Sequence, residues 1–255
     1  EQIMLDAWLL GLFTGTAVTQ ADIGIYGVAF SISMFGFALS ASIGRAILPE
    51  ISGFETSVSN RVRNKTVKES LRYATVLSVP LALGALTLGD YVLRDVFGFG
   101  SGRVPLLLLT VGAVGFSAYQ PLHQVFYGLD RPHWAFGVSF STGLLNGVLN
   151  LLLIPRSGTT GVAISTALAM WLAFILGYVL LRRVGIEDVI PTRSWLIQLG
   201  AAILMTVVVF GVDDLLGVRS RTVTVTLVCV GVVTYGTVLL IGEPPIRNRL
   251  DQVLS

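Results

Sequence analysis

The chain has 255 residues, 53% of them hydrophobic and only 13% charged, with 17 Lys and Arg against 15 Asp and Glu. Ordinary soluble domains carry roughly 25% charged residues, so this composition, with a mean hydropathy of +0.79, excludes that class and points to an all-α, polytopic membrane helix bundle. Cys229 alone permits no intramolecular disulfide, and two histidines at unrelated positions make no metal site.

A bilayer core of about 30 Å takes roughly 20 apolar residues per helix. Eight spans of that kind are predicted: Ile3–Thr19, Gly24–Leu48, Leu71–Leu88, Val104–Gly128, Trp134–Ile154, Gly161–Leu181, Ser194–Val212 and Thr222–Ile241. The first carries Asp6 near its start, and an acid there is either a buried functional group, such as a coupling-ion ligand, or an interfacial residue; the sequence favours the interface. Gly11 and Gly15 give this span a short small-residue face. On the second span, Arg45 lies four residues before Pro49, placed either to meet a phosphate from the cytoplasmic side or to snorkel to the interface.

The loop Pro49–Ser70 reads as a solvated cytoplasmic connector whose basic run lies within reach of anionic head groups, and no nucleic-acid role follows from it. Pro80 inside the third span predicts a kink. The outward loop Gly89–Arg103 is short. On the fourth span Ser117, Gln120, Gln124 and Tyr127 form one helical stripe, while His123 points about 100° away from Gln124.

The fifth span repeats that pattern with Ser139, Thr142, Asn146 and Asn150. Two amides one turn apart in hydrocarbon need partners, because an unpaired amide costs roughly 1 to 3 kcal/mol. Two adjacent polar, uncharged faces fit either a water-filled passage for hydroxyl-rich solutes or interhelical bonds worth about 0.6 kcal/mol each. Pro155 and Gly158 then turn the chain into a membrane hairpin. Beyond it Gly161, Ser165, Ala169, Ala173 and Gly177 recur every four residues, a seam that admits a neighbouring helix closely.

With these spans the loops alternate. Twelve basic residues fall on one side (Arg45, Arg61, Arg63, Lys65, Lys68, Arg72, Arg131, Arg182, Arg183, Arg193, Arg247 and Arg249) and five on the other (Arg94, Arg103, Arg156, Arg219 and Arg221). The richer side is cytoplasmic by the positive-inside rule, so both ends of the chain are expected there. No Ser/His/acid set, paired carboxylates, Cys/His ligand spacing or phosphate-cradling loop is present, so no enzyme and no cofactor is expected.

The run Asn146-x-x-Leu149-Asn150-x-x-x-Ile154-Pro155-x-x-Gly158-x-x-Gly161-x-Ala163-x-Ser165-Thr166 resembles the hairpin of polysaccharide-exporting flippases in the multidrug/oligosaccharidyl-lipid/polysaccharide exporter superfamily. Ile23-Gly24-x-Tyr26-x-x-Ala29, the later Leu48-Pro49-x-Ile51-Ser52, and Gly128-Leu129-x-Arg131-Pro132 are similar to that family's eighth helix, its cytoplasmic exit and its turn before the asparagine helix. The resemblance implies two six-helix lobes carrying a polyprenyl- or dolichyl-linked oligosaccharide by alternating access, for cell-envelope polysaccharide or glycoprotein assembly. Residues 1–185 would be the second lobe, 186–255 two additional helices and a cytoplasmic tail, and a first lobe would precede them. The chain does read as part of a longer polypeptide. A cation-coupled multidrug exporter, a glycan ligase or polymerase, and a structural membrane subunit are the alternatives; the first would carry more acids and aromatics, the second a larger outward loop.

Overall fold

A computed structural model describes residues 2–15, 18–52, 60–217 and 220–243, with the side chains of 2–5, 7, 39–52 and 60 outside the described part. These residues form eight α-helices: α1 (Gln2–Leu12), α2 (Gln20–Ser52), α3 (Asn60–Ala74), α4 (Ser78–Tyr91), α5 (Arg103–Gly128), α6 (Pro132–Arg182), α7 (Thr192–Leu216) and α8 (Arg221–Gly242). A π-helical turn, Val92–Val96, extends α4. Six stretches are long and apolar enough to cross a membrane: 20–38, 61–96, 103–128, 132–182, 192–216 and 221–242.

The helices do not map one to one onto the predicted spans. The first span is shorter than expected: α1 stops at Leu12, and Gly15 at φ +87° turns the chain, its N–H meeting the Val18 carbonyl. Eleven residues rise about 16 Å, roughly half a bilayer core. Gly11 and Gly15 face open space, so no helix among the described residues docks on them. α2 runs through Pro49 to Ser52, and the second half of the predicted connector, residues 60–70, is the start of the helix α3. The expected kink at Pro80 is instead a break at residues 75–77; Pro80 sits in the first turn of α4, where its missing N–H costs nothing.

The break at residues 75–77 frees backbone carbonyls that lipid cannot satisfy. Side chains from α7 and α8 reach them. Gln198 Nε2 donates to the Arg72 carbonyl at 2.9 Å, and the Tyr235 hydroxyl donates to the Val76 carbonyl at 2.7 Å. Thr75 in turn donates to Gln198 Oε1 at 2.8 Å.

The 51 residues of α6 are two arms, not one rod. Gly158, at φ 52° and ψ −132°, reverses the chain, and Ser165 then hydrogen-bonds Asn150 across the reversal. The arms touch closely: a Cβ at Gly161 would stand 2.7 Å from the Leu153 carbonyl oxygen. The second arm also lies on α5, where a Cβ at Gly112 would stand 2.7 Å from Ala167 Cα. Gly161, Ser165, Ala169, Ala173 and Gly177 are all buried. α5 thus forms the centre, with α2, α3, α4 and α6 around it, while α7 and α8 pack with α4 in a separate apolar cluster around Met205, Val209 and Leu239.

Candidate functional site

Asp6 shares one face of α1 with Leu9 and Leu10, and all three are buried. Packing those leucines against α2 and α6 carries the carboxylate into the interior, at 0% exposure. The expectation that Asp6 sits at an interface is therefore corrected: the apolar neighbours on its own face draw it inward.

Four side chains from three other helical segments converge on it. Tyr26 of α2 donates its hydroxyl to Oδ2 at 2.7 Å, and Thr166 of the second α6 arm donates to the same oxygen at 2.9 Å. Asn146 and Asn150 of the first arm donate their Nδ2 groups to Oδ1 at 3.0 and 2.8 Å. Two bonds per oxygen fill the four acceptor positions of a carboxylate. Three of the four donors depend on the hairpin, because only the reversal at Gly158 brings Asn146, Asn150 and Thr166 to one point. Ser165 holds the Asn150 amide from behind through its Oδ1, whereas the buried Asn146 Oδ1 has no hydrogen-bond partner.

A charged residue at the bilayer centre costs roughly 2.5 to 3.5 kcal/mol on insertion scales. No Lys or Arg bonds to Asp6 among the described residues. Its surroundings are amides and hydroxyls, oxygen donors of the kind hard cations take. Asp6, Tyr26 and Thr166 place oxygens at the cluster, the Asn150 Oδ1 being turned to Ser165, and a half-turn of the Asn146 amide would add the unpartnered Oδ1. One negative charge matches one monovalent cation. Sulfur and imidazole ligands are absent from it, and among the described residues no three His, Cys, Asp or Glu gather as a metal group.

The polar stripes are not one wall. Asn146 and Asn150 are fully buried, and Thr142 is buried with its hydroxyl returned to the Val138 carbonyl at 3.0 Å. Ser117 is buried and its hydroxyl has no partner among the described residues. In this structure these four line no open passage, because close packing of α6 on α1 and α5 covers them. Ser139 and Tyr127 are exposed, and Gln120 and Gln124 are half-buried beside them in sequence register. His123 stacks edge-on between the Tyr119 and Tyr127 rings, with centroids at 5.5 and 5.1 Å. Arg45 falls among the side chains outside the described part.

Sequence reasoning did not assign Tyr26 and Thr166 to a site, although both stand in the motifs that carried the resemblance. The available signal was Asp6 itself. A buried acid without a cation needs several donors, and Tyr26 and Thr166 are hydroxyls on apolar helices close to the two asparagines.

The class is a multi-pass helical membrane bundle in which a buried acid, Asp6, gathers four side-chain donors. The chain belongs to the lipid II flippase MurJ family, whose model matches residues 7–234. It is 32% identical to the probable flippase AglR of Haloferax volcanii, over 98% of this chain and 52% of that protein. It is 24% identical to the probable low-salt glycan biosynthesis flippase Agl15 of the same organism, over 94% of this chain and 50% of that one. A solved lipid II flippase MurJ in an inward closed conformation shares the fold, with a TM-score of 0.77 and 17% identity, over 98% of this chain and 51% of that one. The chain thus spans about half the length of these relatives.

Proposed function

We propose that the chain is the second lobe and C-terminal helices of a flippase that moves a polyprenyl- or dolichyl-linked oligosaccharide from the cytoplasmic to the outer leaflet. The family match across residues 7–234 carries this reading, and the two Haloferax relatives named as flippases support it. Residues 1–185 form the lobe, and 186–255 add two helices and a tail. The distribution of basic residues favours the cell membrane with the basic loops on the cytoplasmic side. A preceding lobe completes the passage, since alternating access needs two units rocking about a central site.

The task involves no covalent chemistry. Gln120, Gln124, Tyr127 and Ser139, accessible and uncharged, suit the hydroxyls of the glycan, while Arg45 stands at the cytoplasmic end for the carrier phosphate. Asn146, Asn150, Thr142 and Ser117 act from behind that surface. Asp6 takes a monovalent cation from the gradient, and the ion ties α1 and α2 to both α6 arms. Release leaves the same groups to bond one another. A ligand shifts such an equilibrium only by its differential affinity for the two states, and a cluster spanning four segments provides that difference.

A chimera tests the reading, with this chain replacing the matching half of AglR in liposomes that hold a fluorescent lipid-linked glycan. Flipping by both AglR and the chimera is the expected result. A chimera that inserts and stays folded yet leaves the glycan on its original leaflet, while AglR moves it, refutes the reading.

A further inference from the structure

At the end of the bundle opposite the basic loops, a cavity of about 270 Å³ opens between α4, its π turn, the start of α5 and α7. The glycine-rich segment 97–102 forms its rim. Gly98 and Gly102 take φ of +78° and +111°, and a Cβ at Gly102 would collide with Ile25, so the segment is seated tightly on α2. Tyr91, Phe99 and Phe210 supply aromatic surface, while Asp90, Arg94 and Arg103 supply polar groups.

Arg103 pairs with Asp90 at 3.1 Å and also donates to the Leu86 carbonyl at 2.8 Å. Arg94 pairs through Nε with Asp95 at 3.1 Å and lies over the Tyr91 ring at 5.8 Å. Both walls are pinned from outside: Tyr91 donates to Asp213 of α7 at 3.2 Å, and Thr224 of α8 donates to Asp95 at 2.9 Å. The concavity is therefore largely preformed, which lowers the ordering cost of binding.

Stability does not explain this gathering, because exposed ion pairs contribute about 0 to 1 kcal/mol each. Nor does an anion fit. Each arginine already faces a carboxylate, and Asp213 adds a third acid nearby, so a phosphate would enter without net attraction. A sugar ring meets all the features together. Its hydroxyls donate and accept, bridging Arg and Asp at once, and its C–H faces pack on aromatic rings. Ligand pockets run roughly 300 to 1,000 Å³, so this volume holds one ring or two rather than a chain.

We propose that this outward pocket binds an uncharged sugar ring, receiving part of the glycan once it stands in the outer leaflet. The inference rests on the flippase reading for its biological role, but the binding itself is separately measurable. The whole chain in lipid nanodiscs is presented with methyl hexosides and, in parallel, with inorganic phosphate, and saturation-transfer NMR reads ring-proton contact. At least one hexoside should show transfer that falls about fivefold or more in both Asp90→Asn and Phe210→Ala, equivalent to about 1 kcal/mol. A spin label at Ser101→Cys in a Cys229→Ser background should broaden the same hexoside, which locates the contact even where a variant folds poorly. Phosphate binding without hexoside binding overturns the proposal, as does hexoside transfer unaffected by the variants and the label. Asp6→Asn should leave hexoside transfer unchanged, so loss of flipping and loss of the pocket remain distinguishable.

Discussion

Two polar nodes lie inside this apolar bundle, and they use the same groups for different ends. Around residues 75–77, Thr75, Gln198 and Tyr235 mend a backbone: the break between α3 and α4 leaves carbonyls at Arg72 and Val76, and α7 and α8 supply the missing donors. Around Asp6 there is no backbone to mend. Four donors surround a carboxylate that an apolar residue could replace without freeing any main-chain group. A polar node that repairs a helix explains its own presence. One that introduces a charge and then compensates for it points to a function beyond packing.

Substitutions separate the two. The largest effect is expected for Asp6→Leu, which removes four buried hydrogen bonds and leaves Tyr26 and Thr166 only their 3.3 Å contact with each other; at about 0.6 kcal/mol per bond the loss is roughly 2 to 3 kcal/mol, seen as a lowered melting temperature in nanodiscs. Glycan flipping by the AglR chimera should disappear as well. Gln198→Leu should cost about 1 kcal/mol, since it removes two buried bonds and leaves Thr75 only its longer bonds to the Leu71 and Arg72 carbonyls, yet leave any ion response intact. An ion response lost with Gln198→Leu would erase the distinction between the nodes. Gln124→Leu is the mildest, within about 0.5 kcal/mol of the parent in stability, and should slow flipping while leaving the melting temperature in place. Unchanged flipping would remove Gln124 from the proposed route.

How much of this was legible in the sequence follows from the range of each interaction. The membrane class, the reversal at Gly158 and the seam from Gly161 to Gly177 depend on local composition and spacing. The asparagine pair was visible as a demand for partners, but not the partner, because Asp6 lies 140 residues away from Asn146. Asp6 read as interfacial since an acid near the start of a span usually is. What overrides that is the pairing with Leu9 and Leu10 on one face of a helix only 11 residues long. The stripe on α5 and α6 read as continuous; tertiary packing divides it, burying Ser117, Thr142, Asn146 and Asn150 and leaving Ser139 and Tyr127 accessible. The break before α4 was misplaced because Pro80 marks the first turn of a helix as readily as a kink within one.

The monovalent cation proposed at the Asp6 cluster should stabilise the folded protein. Melting the whole chain in nanodiscs in sodium chloride and in choline chloride of equal ionic strength tests it directly, with Asp6→Asn alongside. An ion present at 100 times its dissociation constant stabilises by about 2.7 kcal/mol, or roughly 5 to 10 °C for a chain of this size. That rise is expected in sodium for the parent, with a flat response for Asp6→Asn. Equal melting temperatures of the parent in the two salts, or an equal sodium-induced rise in parent and variant, would contradict it.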